Sequence, residues 1–315
     1  MVGGLLAVHA HPDDETLSTG AMLATWASSG LPVTLVTCTR GEQGEVIGER
    51  RSVLEGDGAA LGAHRTSELA AAAAALGVRD RLFLDDLVDG ATWVDSGMVW
   101  DGVGRARVGA SVPDGAFALV DVDHAAAALA EVLRDRRPAV VVTYEPEGGY
   151  GHPDHVQAHR VTMRAVELAA ETGWMVPCVL WAALDATELR RGYRECGERG
   201  ASAGGLTLPD PDGPLPSAAV PTCEVAVEVD VQPVLGRIVA AMAGHRTQIE
   251  GVHLRTGGAG RSELDGAEPD GSQPASVGVF ALSNDVLQPL LARESYRCGR
   301  GGTGAVSWPQ GVLVR

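Results

Sequence analysis

Apolar residues fall into short, dense runs separated by segments with helical spacing. "GGLLAVHA" (3–10) is apolar and bounded by glycine, as expected of a strand buried on both faces. "TLSTGAMLATWASSG" follows with helical spacing and stops at Gly30, and "PVTLVTCT" (32–39) reads as a second buried strand. "SELAAAAAALGV" predicts a strong helix ended by Gly77, and "RLFLDD" a short strand. "DHAAAALAEVLRDRR" predicts a helix closed by basic residues and Pro138, with a third apolar strand in "AVVVTYEP". A helix after Pro153, a strand in "CVLWAAL", a strand in "EVAVEVDV" and a helix around 232–249 complete the pattern.

Strand and helix alternate, so the fold class is α/β: a Rossmann-like, mostly parallel sheet flanked by helices. No repeat or linker divides residues 1–315, which read as a single domain. Loop insertions are expected near 99–118, 195–222 and 251–278; the last two are rich in Gly, Ser and Pro. "GVGRARVG" (102–109) lacks both a preceding strand and a third glycine, which excludes a dinucleotide fingerprint.

Composition narrows the function classes. At 315 residues and 45% hydrophobic, the chain can bury a sizeable core. A formal net charge of −16 argues against nucleic acid and anionic membrane surfaces as partners. The five cysteines are far apart with no CxxC pair, which suits reduced thiols in a cytoplasm. No secretory start and no run of about 18 apolar residues is present, so a cytoplasmic location is expected. Oligomeric state is not encoded in any of these features.

The chemistry lies where strands end. "AHPDDE" follows the first strand and "YEPEGGYGHPDH" (144–155) the third, and ligands of an open parallel sheet bind beyond such carboxyl ends. Imidazole and carboxylate form the ligand set of a catalytic zinc with an open coordination position. His11 and Asp14 stand three apart across a proline turn, and His155 offers a third ligand; one aspartate is left to act as general base. The alternative, capping and solvated loop residues, weakens because two such segments follow two strands. His9 reads as a satisfied near-core histidine and His159 as helix surface. His64, His124 and His253 default to the surface, and His245 could reach the site from a later helix.

"AHPDDE" with "GGYGHPDH" resembles the PIG-L/LmbE-type zinc N-deacetylases of amino sugars. "VTCTRGEQGEVIGER", "HRTSEL", "WVDSGM" and "VVTYEPEGGYGHPDH" occur in that family's order and extend the resemblance over most of the chain. Within the family, "GEVIGER", "DSGM" and "GYGHPDH" are similar to the branch that deacetylates N-acetylglucosaminyl-inositol in mycothiol biosynthesis.

The resemblance implies metal ligands His11, Asp14 and His155, holding one Zn²⁺ per chain, with Fe²⁺ the other ion in a cell. It implies Asp13 as general base and His152 as the group stabilising the tetrahedral oxyanion, with Asp154 orienting His152 and keeping it imidazolium-like. Tyr150 would lie beside the same transition state. Arg65 and Asp95 would hold sugar or inositol hydroxyls, and Met98 would line the pocket. The expected partner is a small amino-sugar substrate.

Rival readings are a mycothiol S-conjugate amidase, a deacetylase of another N-acetyl amino sugar, a non-catalytic metal-bearing sugar-binding domain and a zinc phosphoesterase. "GEVIGER" speaks against the amidase. Three ligands with an idle carboxylate speak against a closed structural site. The acidic charge, with no basic cluster near the motifs, speaks against phosphate substrates.

Overall fold

Leu5, Leu6, Ala7 and Val8 are all buried, and the strand they form, β1 (Leu5–His9), lies inside a nine-stranded sheet. The computed structural model describes residues 3–48, 51–100, 106–107, 109, 112–198, 205–255 and 273–315. Chain order runs through α1 (Asp14–Ser28), β2 (Val33–Thr37), α2 (Gly58–Leu76), β3 (Asp80–Phe83), α3 (Val122–Arg136), β4 (Val140–Tyr144), α4 (Pro153–Glu171) and β5 (Cys178–Asp185). There follow α5 (Ala186–Glu198), β6 (Val227–Asp230), α6 (Leu235–Met242), β7 (Glu250–Leu254), β8 (Ser276–Ala281), β9 (Leu287–Leu291), β10 (Arg293–Gly301) and β11 (Val312–Val314).

The sheet order is β11-β6-β10-β5-β4-β1-β2-β3, and Ala219–Val220 pairs with the end of β5. Strands β3, β2, β1, β4 and β5 are parallel, as the apolar runs predict. In this doubly wound order the chain reverses direction of growth between β1 and β4, which opens a crevice at their carboxyl ends. Beyond β5 the sheet continues antiparallel through β10, β6 and β11. Alternate β1 residues point to opposite layers. Leu5 and Ala7 join Trp26, Leu69 and Leu76, while Leu6 and Val8 join Leu129 and Val161.

The described parts of the expected insertions include regular elements. Helix α5 runs into the 195–222 stretch, and β7 and β8 run into 251–278, where β8 pairs antiparallel with both β7 and β9. Within 99–118, Val99–Trp100 pairs with Ala106–Arg107. Positions 101–105, 108, 110–111, 199–204 and 256–272 of these insertions lie outside the described residues. The helix expected over 232–249 contracts to α6, leaving 245–249 as a turn packed inward. No described helix is long and apolar enough to cross a membrane.

Candidate active site

Two loops meet in the β1/β4 crevice. The first leaves β1 at Ala10, whose N–H donates to the Tyr144 hydroxyl at the end of β4 (2.8 Å). The second is shaped by Glu145. Its carboxylate accepts from the backbone N–H groups of Glu147 and Gly149 (both 2.7 Å) and from the Ser217 hydroxyl (2.8 Å). Gly148 adopts φ 72°, and a Cβ there would come within 2.8 Å of the His155 Cβ. The loop ends where Pro153 starts α4, with His152 as its N-cap, and proline's fixed φ suits a first helical turn.

His11, Asp14 and His155 converge. His155 Nε2 lies 3.3 Å from His11 Nδ1. One Asp14 oxygen is 3.4 Å from His11 Nδ1 and the other 3.4 Å from His155 Nε2. The far nitrogens fix the tautomers. His155 Nδ1 donates to Gly148 O (3.1 Å), and His11 Nε2 faces Asp154 (3.2 Å) and Asp95 (3.5 Å). With those tautomers His11 Nδ1 and His155 Nε2 both turn toward Asp14, whose Oδ2 also accepts the His11 backbone N–H at 2.9 Å. Side chains spaced in this way can share a cation, since a zinc–nitrogen bond near 2.1 Å gives tetrahedral edges of about 3.4 Å. The donor set fits a divalent metal, and the outer carboxylates supply the hydrogen bonds that orient such ligands. Candidate ligand atoms also include His152, grouped with His11 and His155, and a second set of His11, Asp95, His152 and Asp154.

Charge follows this geometry. Burial alone would lower His11, but Asp95, Asp14 and Asp154 outweigh it and hold the imidazole well above its ordinary value. Burial would raise Asp14, yet His155 and His11 hold it well below the usual carboxylate range. Asp13 is different. It faces Arg65 Nη2 at 3.2 Å, and burial pushes it up to about 6, with Arg65 opposing and Asp14 adding to the shift. Sequence spacing leaves the two aspartates interchangeable; in the structure Asp14 joins the histidines and Asp13 turns to Arg65.

Three expectations change. Asp154 does not orient His152 with its carboxylate, which instead takes the backbone N–H of Ser96 (2.8 Å), the Ser96 hydroxyl and His11 Nε2. His152 is oriented by the Asp154 backbone N–H, which donates to Nδ1 at 3.2 Å. It is not imidazolium-like: burial and the neighbouring His11 and His155 push its pKa well below 6.5. With Nδ1 accepting, the neutral ring carries its proton on Nε2 and remains an N–H donor. His159, expected on a helix surface, is buried, with its Nδ1 2.9 Å from Tyr144 O.

Arg65 is only 3% exposed, and its guanidinium donates to Gly41 O (2.9 Å) and Pro12 O (2.5 Å) besides facing Asp13. Gly41 permits this: a Cβ there would stand 2.0 Å from Arg65 Nη1. Asp95 accepts from the N–H groups of Gly97 (2.8 Å) and Gln43 (3.3 Å). Met98 follows on the same loop, half-buried, and the Tyr150 ring meets His155 edge-on with centroids 5.0 Å apart. His9 is buried in the core, as expected, and its Nε2 donates to Thr19 Oγ1 (2.8 Å), while its Nδ1 has no hydrogen-bond partner among the described residues. His124 and His253 are exposed, whereas His64 is half-buried with Nε2 3.4 Å from Glu68.

Sequence reasoning missed four contributors. The Tyr144 ring stacks on His155 with centroids 4.1 Å apart. Ser96 anchors Asp154, Glu145 shapes the second loop, and Glu15 binds the Asp13 N–H (2.9 Å). Only Glu15 carried a signal, as the unexplained acid of "HPDDE".

A doubly wound sheet with a buried His/Asp cluster at its switch point defines a class of metal-centre α/β proteins. The chain belongs to the PIG-L family: residues 6–166 match the model described as GlcNAc-PI de-N-acetylase. A relative from Kineococcus radiotolerans named 1D-myo-inositol 2-acetamido-2-deoxy-alpha-D-glucopyranoside deacetylase is 43% identical over 95% of this chain and 78% of its own length. A protein of the same name from Nocardia farcinica is 42% identical over 96% of this chain and 92% of its own. Among solved structures, N,N'-diacetylchitobiose deacetylase from Pyrococcus horikoshii aligns with a TM-score of 0.47 at 19% identity, over 77% of this chain and 69% of that one.

Proposed function

We propose that the protein hydrolyses the acetamide of N-acetylglucosaminyl-inositol to glucosaminyl-inositol and acetate, a step of mycothiol biosynthesis, with a zinc ion held by His11, Asp14 and His155. The observation that carries this reading is the approach of His11 Nδ1 and His155 Nε2 to 3.3 Å, with Asp14 setting one oxygen 3.4 Å from each, beside the Asp13 carboxylate, which turns to Arg65 instead. The names of these relatives support the substrate. A divalent metal held by these residues would supply Lewis acidity toward the acetyl carbonyl and would acidify water near neutral pH.

The chain's own residues divide the remaining work. Asp13 takes the proton of the attacking water; a base whose pKa is raised to about 6 is well matched to physiological pH, and such a group contributes roughly 10²–10⁴-fold. His152 donates Nε2–H to the oxyanion as a neutral imidazole, worth about 3–4 kcal/mol by analogy with other oxyanion donors. Tyr150 flanks the same position. Arg65 holds the Asp13 carboxylate rather than a substrate hydroxyl, since it is buried and its two terminal nitrogens already meet Asp13 and two carbonyls. Met98, half-buried on the crevice loop, is assigned to the sugar side, while Asp95, buried and facing His11 Nε2, is assigned to orienting that ring rather than to a substrate hydroxyl.

The test is amine release by the metal-reconstituted enzyme across a panel of N-acetyl sugars and a mycothiol S-conjugate. N-acetylglucosaminyl-inositol is expected to be cleaved fastest, with N-acetylglucosamine far slower. Missing hydroxyl contacts in a site built for them cost up to roughly 10⁴ in kcat/KM. Faster cleavage of the S-conjugate would make the protein an amidase.

A further inference from the structure

We infer that His245 is a positioning residue for Asp13, acting through Glu15. This deepens the deacetylase reading and rests on Asp13 being the base. Asp13 has φ 118° and ψ −32°, a conformation that an L side chain holds only when its surroundings impose it. It precedes α1, yet its side chain makes no capping hydrogen bond, so its carboxylate is not spent on the helix. Something else must hold the backbone there.

Glu15 does so. Its Oε2 accepts the Asp13 N–H at 2.9 Å, while its Oε1 accepts from Thr16 Oγ1 (2.5 Å) and lies 2.7 Å from His245 Nε2. Glu15 and His245 are both fully buried, and they come from segments 230 residues apart. His245 is itself fixed by the turn that follows α6. Thr247 donates its N–H (3.0 Å) and hydroxyl (2.6 Å) to Glu68 on α2, and Gln248 Nε2 donates to Glu45 O (3.0 Å). Asp13 is thus gripped twice, by Glu15 and His245 at its backbone and by Arg65 at its carboxylate.

A buried ionisable pair is a poor means of stabilising a fold, since apolar replacements are often as stable. This pair instead ends on the one strained residue whose carboxylate must be aimed. The other His245 ring nitrogen, Nδ1, is buried with no hydrogen-bond partner, so all of the ring's polar contact goes to Glu15.

The metal-loaded enzyme and its His245→Leu, His245→Asn and His245→Gln variants separate positioning from packing. A glutamine amide nitrogen reaches as far as the imidazole Nε2, whereas an asparagine amide stops short. His245→Leu and His245→Asn are expected to lower kcat about a hundredfold, the usual cost of misplacing a reacting group by about 1 Å, with KM and metal content unchanged. His245→Gln is expected to recover most of the loss. Hydrogen exchange gives a readout independent of turnover: the Asp13 amide is expected to exchange at least about tenfold faster in His245→Leu than in the wild type or His245→Gln. Unchanged kcat in His245→Leu, no recovery in His245→Gln, or metal loss that tracks the activity loss would each overturn the inference. Failure of the deacetylase reading shows separately, as an inactive wild-type enzyme.

Discussion

Arg65 sits against Asp13, not in the open crevice, and that contact decides what its removal does. Its guanidinium joins Asp13 to Pro12 O and Gly41 O, a geometry that a lysine's single ammonium cannot reproduce. Arg65→Ala is expected to lower kcat by about a hundredfold on both N-acetylglucosaminyl-inositol and N-acetylglucosamine, with Arg65→Lys intermediate. Parallel steady-state assays check this; a loss confined to the inositol substrate would instead place Arg65 on the aglycone. The residue types of the site were legible in "HPDDE" and "GHPDH" because only strand-end loops concentrate such groups. The choice between Asp13 and Asp14 was not, because adjacent residues diverge according to one backbone angle, φ 118° at Asp13. The bonds of Asp154 to Ser96 and His11 also escaped, since nothing local ties position 96 to position 154.

At the level of elements, the loop between β4 and α4 is the most constrained. Glu145 draws it tight, Gly148 supplies a left-handed backbone, and His155 Nδ1 bonds Gly148 O, so loop and ligand are built together. Gly148→Ala adds a Cβ 2.8 Å from His155 Cβ in a conformation that costs an L residue roughly 1–2 kcal/mol. The variant is expected to melt at lower temperature and to bind metal at least about tenfold more weakly, the range seen when support of a metal ligand is lost. Calorimetry and metal titration check both. The parallel strands were readable because β1, β2 and β4 are buried throughout, which writes an unbroken apolar run into the chain. Strand β10 was not, since "RESYRCGRG" buries only Ser295 and Tyr296 and has no apolar period. Helix α5 was lost for a similar reason: it is strongly polar, and Gly-rich sequence follows it.

Over the whole molecule, the strand order carries the function. The β3-β2-β1-β4-β5 arrangement brings residues 9–15 and 144–155 to one crevice, although more than a hundred residues separate them. The turn at 245–249 reaches the same place from the antiparallel end of the chain. The proposed function makes the metal-binding carboxylate and the base different residues, Asp14 and Asp13, and metal content per chain tests this most directly. Elemental analysis of the purified wild type, Asp13→Asn and His155→Ala is expected to give roughly one zinc-type ion per chain in the first two and little in the third, because a three-ligand site cannot spare a ligand. Equal metal loss in Asp13→Asn and His155→Ala would contradict the assignment and make Asp13 a ligand.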